Sequence, residues 1–172
     1  MKFKFLITLL LVGFQFVNSQ SKEKNNLNEI NRNGYQIFYN SNLRLDESGK
    51  NATEFYLFTQ KESSEDNFAE NVNLMIQNLE TLNIDLNKFV EISENQIKTY
   101  GKLIESKRSK INQNECHIFI YEGLMNDFEL KFLQYDFVKN NKAYILTYTS
   151  KKTDFEKFYI QMEKVMKSFK IN

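Results

Sequence analysis

Two short segments near the start of the chain have the apolar pattern of β-strands. They are GYQIFY at residues 34–39 and EFYLFT at residues 54–59. Successive side chains of a strand point to opposite faces, and in both segments each face carries aromatic or aliphatic residues. We therefore predict two strands of a sheet that is covered on each side. The polar LDESGKN between them is typical of a turn.

The stretch from Asn67 to Phe89 permits two interpretations. Its apolar residues recur at helical spacing, yet NVNLMI also alternates as a strand does. Asp85 suits a helix N-cap, and the flanking Ile84 and Phe89 have the spacing of a hydrophobic staple. A helix running through the whole stretch would have to stop and restart within a few residues. We therefore predict a strand over residues 71–76, a turn near residues 80–83 and a helix from Asp85.

This first helix is predicted to end at Gly101, in the place of a C′ glycine, with Tyr100 on its apolar face. Four further strands are predicted after it, at residues 103–111, 116–123, 128–138 and 143–149. The first of them is rich in lysine and arginine, as an edge strand is. Asn140–Asn141 between the last two tolerates the positive φ of a tight turn, so these strands are expected to pair antiparallel.

A second amphipathic helix is predicted at the end of the chain. Thr153 and Glu156 have the spacing of a capping box. The apolar residues that follow repeat at i, i+3, i+4 and i+7: Phe155, Phe158, Tyr159, Met162, Val165, Met166 and Phe169. A stripe of this width indicates a helix buried against a sheet. The pattern as a whole predicts an α+β domain with a mainly antiparallel sheet of about six or seven strands.

The N-terminal residues follow the pattern of a secretory signal. Two lysines precede an apolar run from Phe5 to Val17, and cleavage is predicted between Ser19 and Gln20. The run is short for a membrane span, which takes about 20 apolar residues. We predict that residues 1–19 are a signal peptide, that the protein is exported to the periplasm or secreted, and that it is not stably inserted in a membrane after cleavage. A retained N-terminal anchor is the alternative.

The rest of the chain shows one composition regime and no repeat. Residues 20–33 are polar and are interpreted as a mobile leader or a short frayed helix, and residues 34–172 as a single domain. The chain has 23 basic and 22 acidic residues, so no electrostatic footprint for nucleic acid exists. Its one cysteine, Cys116, cannot form an internal disulfide, and the core alone must stabilise the domain.

Candidate chemistry is sparse. His117 is the one histidine, and on a strand it must point away from the neighbouring Cys116, which argues against a Cys–His nucleophile. A Ser–His–Asp triad would require His117 to meet a serine and an acid across the sheet, and the chain has no glycine-flanked serine elbow. Two His or Cys side chains are too few for a typical zinc site. We predict no catalytic residues, no metal and no cofactor.

Two charged clusters are interpreted as ordinary surface. Glu62, Glu65 and Asp66 lack the ligand–glycine spacing of a calcium loop. The basic residues Lys107, Arg108 and Lys110 fit the protection of an edge strand, with a small anion-binding patch as the alternative.

Polar side chains inside an apolar strand are a more specific signal. Gln134 and Asp136 share a strand face with Phe132 and Val138. If a helix covers that face, each polar group must find a hydrogen-bond partner or line a cleft. Internal hydrogen bonding is the first interpretation, and Gln134 and Asp136 are the candidate cleft-lining residues if a ligand site exists.

The order of elements resembles the PsbP-like family. The matching segments are GYQIFYNSNLRL, FAENVNLMI, a helix, LQYDFVKNNKAYILTYTS and a last helix ending in KSF, which together span residues 34–170. Asn40 and Leu43 stand where the family commonly has proline and tryptophan. The family includes the PsbP subunit of photosystem II, bacterial DcrB-type envelope proteins and a eukaryotic Ran-binding factor. The resemblance implies an α/β/α sandwich and an exported location.

It implies no shared catalytic residues, because members of that family mostly bind or assist the assembly of other proteins. The expected function is therefore that of an exported, non-catalytic binding or assembly-accessory protein of the bacterial cell envelope, with another envelope protein as its partner. One alternative is a carrier for a small apolar ligand held between sheet and helix. An enzyme of unrecognised type is the other.

Overall fold

The computed structural model describes residues 27–32 and 34–172. The predicted signal peptide at residues 1–19, its cleavage between Ser19 and Gln20, and the first part of the predicted leader lie outside the described residues. None of the described helices is both long and apolar enough to cross a membrane.

Seven of the described strands form one antiparallel sheet. In chain order they are β3 (Arg44–Asp46), β4 (Thr53–Phe58), β5 (Asn71–Asn78), β6 (Gly101–Ile111), β7 (Asn114–Met125), β8 (Phe128–Lys139) and β9 (Lys142–Lys151). Their order across the sheet is β3-β4-β5-β9-β8-β7-β6. The lysine-rich strand β6 therefore lies at an edge, as its sequence predicts.

A smaller antiparallel sheet and two helices complete the described part of the fold. The small sheet has the order β1-β2-β10, and the elements are β1 (Leu27–Arg32), β2 (Tyr35–Asn40), β10 (Lys170–Ile171), α1 (Leu86–Tyr100) and α2 (Phe155–Lys167). A short 3₁₀ turn at Lys50–Ala52 precedes β4.

The two helices cover opposite faces of the large sheet. On β9, Ile145 packs in the cluster of Phe89 from α1, whereas the next residue, Leu146, lies in the cluster of Met162 from α2. The small sheet lies on the α2 side, where Ile37 is fully buried. The predicted α+β sandwich, with a mid-chain helix and a C-terminal helix on a mainly antiparallel sheet, is confirmed.

Strands β6 to β9 form a meander joined by two-residue turns with positive φ at both positions. The turns are Asn112–Gln113, Asn126–Asp127 and Asn140–Asn141. Asparagine and aspartate tolerate this left-handed backbone, which matches the twist of the flanking strands. The predicted Asn140–Asn141 hairpin is confirmed.

The ambiguous stretch from Asn67 to Phe89 contains a strand followed by a helix, as predicted. β5 lies between β4 and β9, and α1 begins after Asp85, whose carboxylate accepts a hydrogen bond of 2.8 Å from the amide of Lys88. Ile84 and Phe89 pack in one apolar cluster, which is the contact that the staple predicts.

Two segments were interpreted wrongly. Leu27–Arg32 is a strand rather than a leader or a frayed helix, because its backbone pairs with β2 and buries Ile30. Arg44–Asp46, which overlaps the segment predicted as a turn, is also a short strand, because it pairs with β4 at the edge of the large sheet. Both segments are mostly polar, so backbone pairing determines their conformation more than side-chain pattern does.

Both predicted helix-end signals also differ in detail. The α2 N-cap is Asp154, which makes no side-chain cap bond, and the predicted capping-box residue Glu156 instead accepts a hydrogen bond of 2.8 Å from Lys131. Gly101 has an extended φ of −158° and is the first residue of β6, so it is not a left-handed C′ glycine. A β-carbon at Gly101 would lie 2.3 Å from the carbonyl oxygen of Glu122, so a close backbone approach explains the glycine.

Candidate functional site

A cleft separates the C-terminal half of α1 from the large sheet. It encloses a cavity of about 430 Å³, which we call the α1 cleft. Its wall and floor residues come from α1 and strands β5 to β9: Met75, Gln77, Phe89, Ser93, Gln96, Ile97, Gly101, Tyr121, Glu122, Gly123, Phe132, Gln134 and Ile145. This volume lies within the range of sites that hold small organic ligands.

Apolar side chains project into solvent at the mouth of the α1 cleft. Ile92 and Tyr100 belong to α1, and Leu124 and Met125 belong to the end of β7, next to the Asn126–Asp127 turn. Tyr100 is 79% exposed and Leu124 is 70% exposed. The prediction that Tyr100 packs on the apolar face of α1 is wrong, because its side chain is mostly exposed at the mouth of the cleft.

A chain of polar groups lies at the floor of the α1 cleft. The hydroxyl of Tyr121 donates to Gln134 Oε1 at 2.9 Å, and Gln134 Nε2 donates to Asp136 Oδ1 at 2.8 Å. The Tyr121 ring stacks on Phe132, with 4.6 Å between the ring centroids, which fixes the position of the hydroxyl. Gln134 therefore stands between the cavity and the Asp136 carboxyl.

Asp136 is completely buried, and its carboxyl is held mostly in the neutral form below neutral pH. Burial raises its pKa to about 7 because the charged form loses its hydration, and Gln134 and Ser93 of α1 offset only part of this effect. Asp136 pairs in register with His117 on β7. Asp136 Oδ2 and His117 Nδ1 are both buried without a hydrogen-bond partner.

The structure places the two candidate cleft-lining residues at different depths. Gln134 contributes to the cavity wall, whereas Asp136 lies behind it and makes its contact through the Gln134 amide. Both side chains also make internal hydrogen bonds. Gln134 therefore satisfies both interpretations of the sequence, since it is hydrogen-bonded internally and also lines the cleft.

Cys116 and His117 point to opposite faces of the sheet, as the strand geometry requires. Cys116 packs in the apolar cluster on the α2 side, and burial raises the pKa of its thiol to about 11, so the thiol stays protonated at neutral pH. His117 instead packs against Phe119 on the α1 side, with 4.6 Å between the ring centroids and the ring planes tilted by 45°. These positions leave no contact between thiol and imidazole.

His117 does meet a serine across the sheet. Its Nε2 lies 2.8 Å from Ser106 Oγ on β6, and Ser106 in turn donates to Glu94 Oε2 of α1 at 3.2 Å. Burial lowers the pKa of His117, and the nearby Arg108 lowers it further, so the ring is neutral. Neither Ser106 nor His117 lines the α1 cleft, so this network joins β6 to α1 outside that cleft.

Several members of the charged clusters contact local partners. Lys151 Nζ lies 3.6 Å from Asp66 in the acidic loop, and Lys107 Nζ lies 2.5 Å from Glu105 on β6. Arg108 donates to Asn87. Within the described part of the chain, no group of three or more His, Cys, Asp or Glu side chains is arranged to hold a metal ion.

Comparison with known proteins connects this architecture to solved structures. Neither a protein-family model nor a curated protein matches the chain. The solution structure of cyanobacterial PsbP (CyanoP) from Synechocystis sp. PCC 6803 is similar at a TM-score of 0.58 and 12% identity, over 97% of this chain and 99% of that chain. The chain has the PsbP-like fold.

Two further structures share the PsbP-like fold of this chain. The crystal structure of LpqN, described as involved in cell envelope biogenesis of Mycobacterium tuberculosis, has a TM-score of 0.64 and 10% identity, over 85% of this chain and 90% of that one. A Pseudomonas aeruginosa protein of unknown function has a TM-score of 0.52 and 9% identity, over 83% and 94% of the two chains. The resemblance to PsbP-like proteins is thus confirmed at the level of the fold.

Within this PsbP-like fold, the mouth of the α1 cleft is the part that sequence reasoning missed. Leu124 and Met125 immediately precede the Asn126–Asp127 turn. Exposed apolar residues beside a tight turn are unusual enough to suggest a contact surface. The sequence contains this signal as LMND, but only the structure shows that Leu124 and Met125 lie next to α1.

Proposed function

We propose that this chain is a non-catalytic binding protein of the bacterial cell envelope, exported by the predicted signal at residues 1–19, and that it binds in the α1 cleft. The observation that supports this proposal is the cavity of about 430 Å³ between α1 and the sheet. Concave, mostly apolar cavities with a few convergent polar groups are the usual form of ligand sites.

The occupant that the cavity favours is a small apolar ligand. Phe89, Ile97 and Phe132 supply buried apolar walls, and Ile145 closes the side towards β9. Burial of apolar surface provides the driving force for such a ligand, at about 25 cal/mol per Å². Carriage of a small apolar molecule between helix and sheet is therefore the first form of the proposal.

A second candidate occupant is an apolar segment of another envelope protein. The observation that favours it is the exposed mouth formed by Ile92, Tyr100, Leu124 and Met125. Apolar residues grouped at one place on a surface mark contact sites in soluble proteins. LpqN, which shares the fold, is involved in cell envelope biogenesis, and this is consistent with an assembly-accessory role.

The absence of catalysis is part of the proposal. The Ser106 hydroxyl contacts the His117 imidazole and also donates a hydrogen bond to the Glu94 carboxylate. A nucleophilic serine needs a substrate site beside it, and these residues lie outside the α1 cleft. The arrangement supports a structural role for His117, and loss of a measured turnover in His117→Ala would contradict it.

Decanol is expected to raise the melting temperature of the protein by filling the α1 cleft. At a free ligand concentration of ten times Kd, binding adds about 1.4 kcal/mol to the free energy of unfolding. For a domain of this size that corresponds to an increase of about 4 °C in Tm. Differential scanning fluorimetry with and without decanol measures the increase directly.

The matched variants are Gly123→Leu and Ile160→Ala. Gly123 lines the cavity and has room for a β-carbon, because the nearest atoms lie 3.8 Å away, so a leucine there fills the cleft. Ile160 is 80% exposed on α2, away from the cleft. We expect Gly123→Leu to lose the response and Ile160→Ala to keep it. An equal response in Gly123→Leu would contradict the proposed site.

A further inference from the structure

The polar floor of the α1 cleft has a hydrogen-bonding capacity that is only partly used. The Gln134 amide donates one N–H to Asp136 and accepts at Oε1 from Tyr121. A glutamine amide has two N–H donors, and a phenolic oxygen accepts as well as donates. The floor therefore still offers one N–H donor from Gln134 and one acceptor site on the Tyr121 oxygen. A hydroxyl or a primary amide complements this pair of groups.

The charges around the cavity disfavour an anionic ligand. Among the described residues, no lysine, arginine or histidine lines the α1 cleft. Of the described residues that line it, Glu122 alone is charged, and its carboxylate is held by Lys152 Nζ at 2.9 Å. The Asp136 carboxyl lies directly behind Gln134 and adds negative charge whenever it ionises. A carboxylate that entered the cleft would lose its hydration without meeting a cation.

A cationic head group is disfavoured by a different feature. The Asp136 carboxyl is separated from the cavity by Gln134, whose amide already bonds Asp136 Oδ1. An ammonium group at the floor would therefore meet one neutral acceptor, the Tyr121 oxygen, beside the remaining N–H donor of Gln134, and it would not reach the carboxyl itself. In the cleft wall, Glu122 is already paired with Lys152 and offers little to a second cation.

We propose, on the basis of the proposed function, that the α1 cleft selects uncharged amphiphiles: molecules with an apolar chain that end in a hydroxyl or a primary amide. The apolar chain lies along Phe89, Ile97 and Phe132, and the head group bonds Gln134 and Tyr121 at the floor. The site discriminates against head groups that carry a charge of either sign.

Isothermal titration calorimetry with four probes of equal chain length tests this selectivity. The probes are decanol, decanamide, decanoate and decylammonium, each kept below its micelle concentration at neutral pH. Decanol and decanamide are expected to bind at least about tenfold more tightly than either charged probe. Such a ratio corresponds to the cost of burying one charge with incomplete compensation.

The outcomes separate the selectivity from the proposed function on which it rests. Decanoate binding as tightly as decanol, or decylammonium binding most tightly, would overturn the selectivity while the α1 cleft remained a binding site. If no probe bound, and none raised Tm, the proposed small-ligand function itself would be overturned. A ranking with both neutral probes ahead of both charged probes supports the proposal.

Two variants identify the groups that select the head group. Tyr121→Phe keeps the ring that stacks on Phe132 and removes the hydroxyl, and it is expected to weaken decanol binding about three- to tenfold. Gln134→Leu removes the amide but leaves Asp136 without its partner, so its folding must be checked by circular dichroism. Unchanged decanol affinity in Tyr121→Phe would overturn the assignment of the floor.

Discussion

Asp136→Asn is expected to stabilise the protein above neutral pH by up to about 4 kcal/mol and to remove the fall in stability that the Asp136 carboxyl causes between about pH 4 and pH 7. The effect follows from a carboxyl that is fully buried and whose charge has no cationic partner at hydrogen-bond distance. An asparagine keeps the size of the protonated aspartic acid and can still accept the hydrogen bond from Gln134.

The direction of the effect is determined by the pKa of Asp136 in the two states. Burial raises it from 3.8 to about 7 in the folded protein, so the folded state binds one proton more than the unfolded state between these values. The stability that this carboxyl contributes is therefore fully present below about pH 4 and is lost as pH rises towards 7. Each pH unit costs about 1.4 kcal/mol.

The groups around Asp136 support this direction. Polar contacts with Gln134 and Ser93 favour the charged form of Asp136 and lower its pKa, but the effect of burial is larger. His117, which pairs with Asp136 across the strands, has a pKa lowered by burial and by Arg108, so at neutral pH it adds no compensating positive charge. When the Nε2–H of His117 is directed at Ser106, its Nδ1 carries no proton and cannot donate to the Asp136 carboxylate.

Urea unfolding at a series of pH values measures the effect. Asp127→Asn is the matched control, since it removes one carboxylate from an exposed turn position where asparagine is equally suited to the positive φ. This control should show the same change in the free energy of unfolding per pH unit as the parent protein. If the free energy of unfolding of Asp136→Asn changed with pH as that of the parent does, the argument that the buried carboxyl is protonated near neutral pH would be contradicted.

Gly101→Ala is expected to destabilise the protein by about 3 kcal/mol, near the upper end of the range for overpacked sites. A β-carbon at Gly101 would lie 2.3 Å from the Glu122 carbonyl oxygen, which is backbone and cannot rotate away. The first pair of the β6–β7 ladder would have to separate, or α1 would have to shift at its last turn. Thermal unfolding should show Tm lowered by about 9 °C.

Gly123 provides an internal control for this effect. It pairs in register with Gly101, yet a β-carbon there would find its nearest neighbours at 3.8 Å. Gly123→Ala is therefore expected to change the free energy of unfolding by less than about 0.5 kcal/mol. Equal losses in the two variants would show that the steric argument for Gly101 is mistaken.

Local signals predicted the elements that have both a regular apolar pattern and residues that mark where the element begins or ends. The strand β5 and the start of α1 were separable because Ile84, Asp85 and Phe89 determine where the helix begins. The strand β1 lacks such signals: Ile30 is its one buried residue, and pairing with β2 determines its conformation. Gly101 was predicted to mark the end of the helix. The reason that glycine is needed there is the close approach of the Glu122 backbone, which is distant in sequence.

The candidate site was predictable only in part. Gln134 and Asp136 attracted notice as polar residues on an apolar strand, because burial of such groups requires partners. Their partners come from β7 and α1, and no local pattern indicates that Tyr121 and Ser93 lie beside them. The cavity itself depends on how far α1 stands from the sheet, which is a property of tertiary packing.

The most direct test of the central claim is a map of where a neutral amphiphile binds. Titration of ¹⁵N-labelled protein with decanol, followed by heteronuclear NMR, reports each backbone amide. We predict that the largest shifts occur at the α1 cleft, at Ser93, Gln96, Gly123 and Gln134. Shifts centred instead on α2 around Ile160, or an absence of shifts at saturating decanol, would contradict the account.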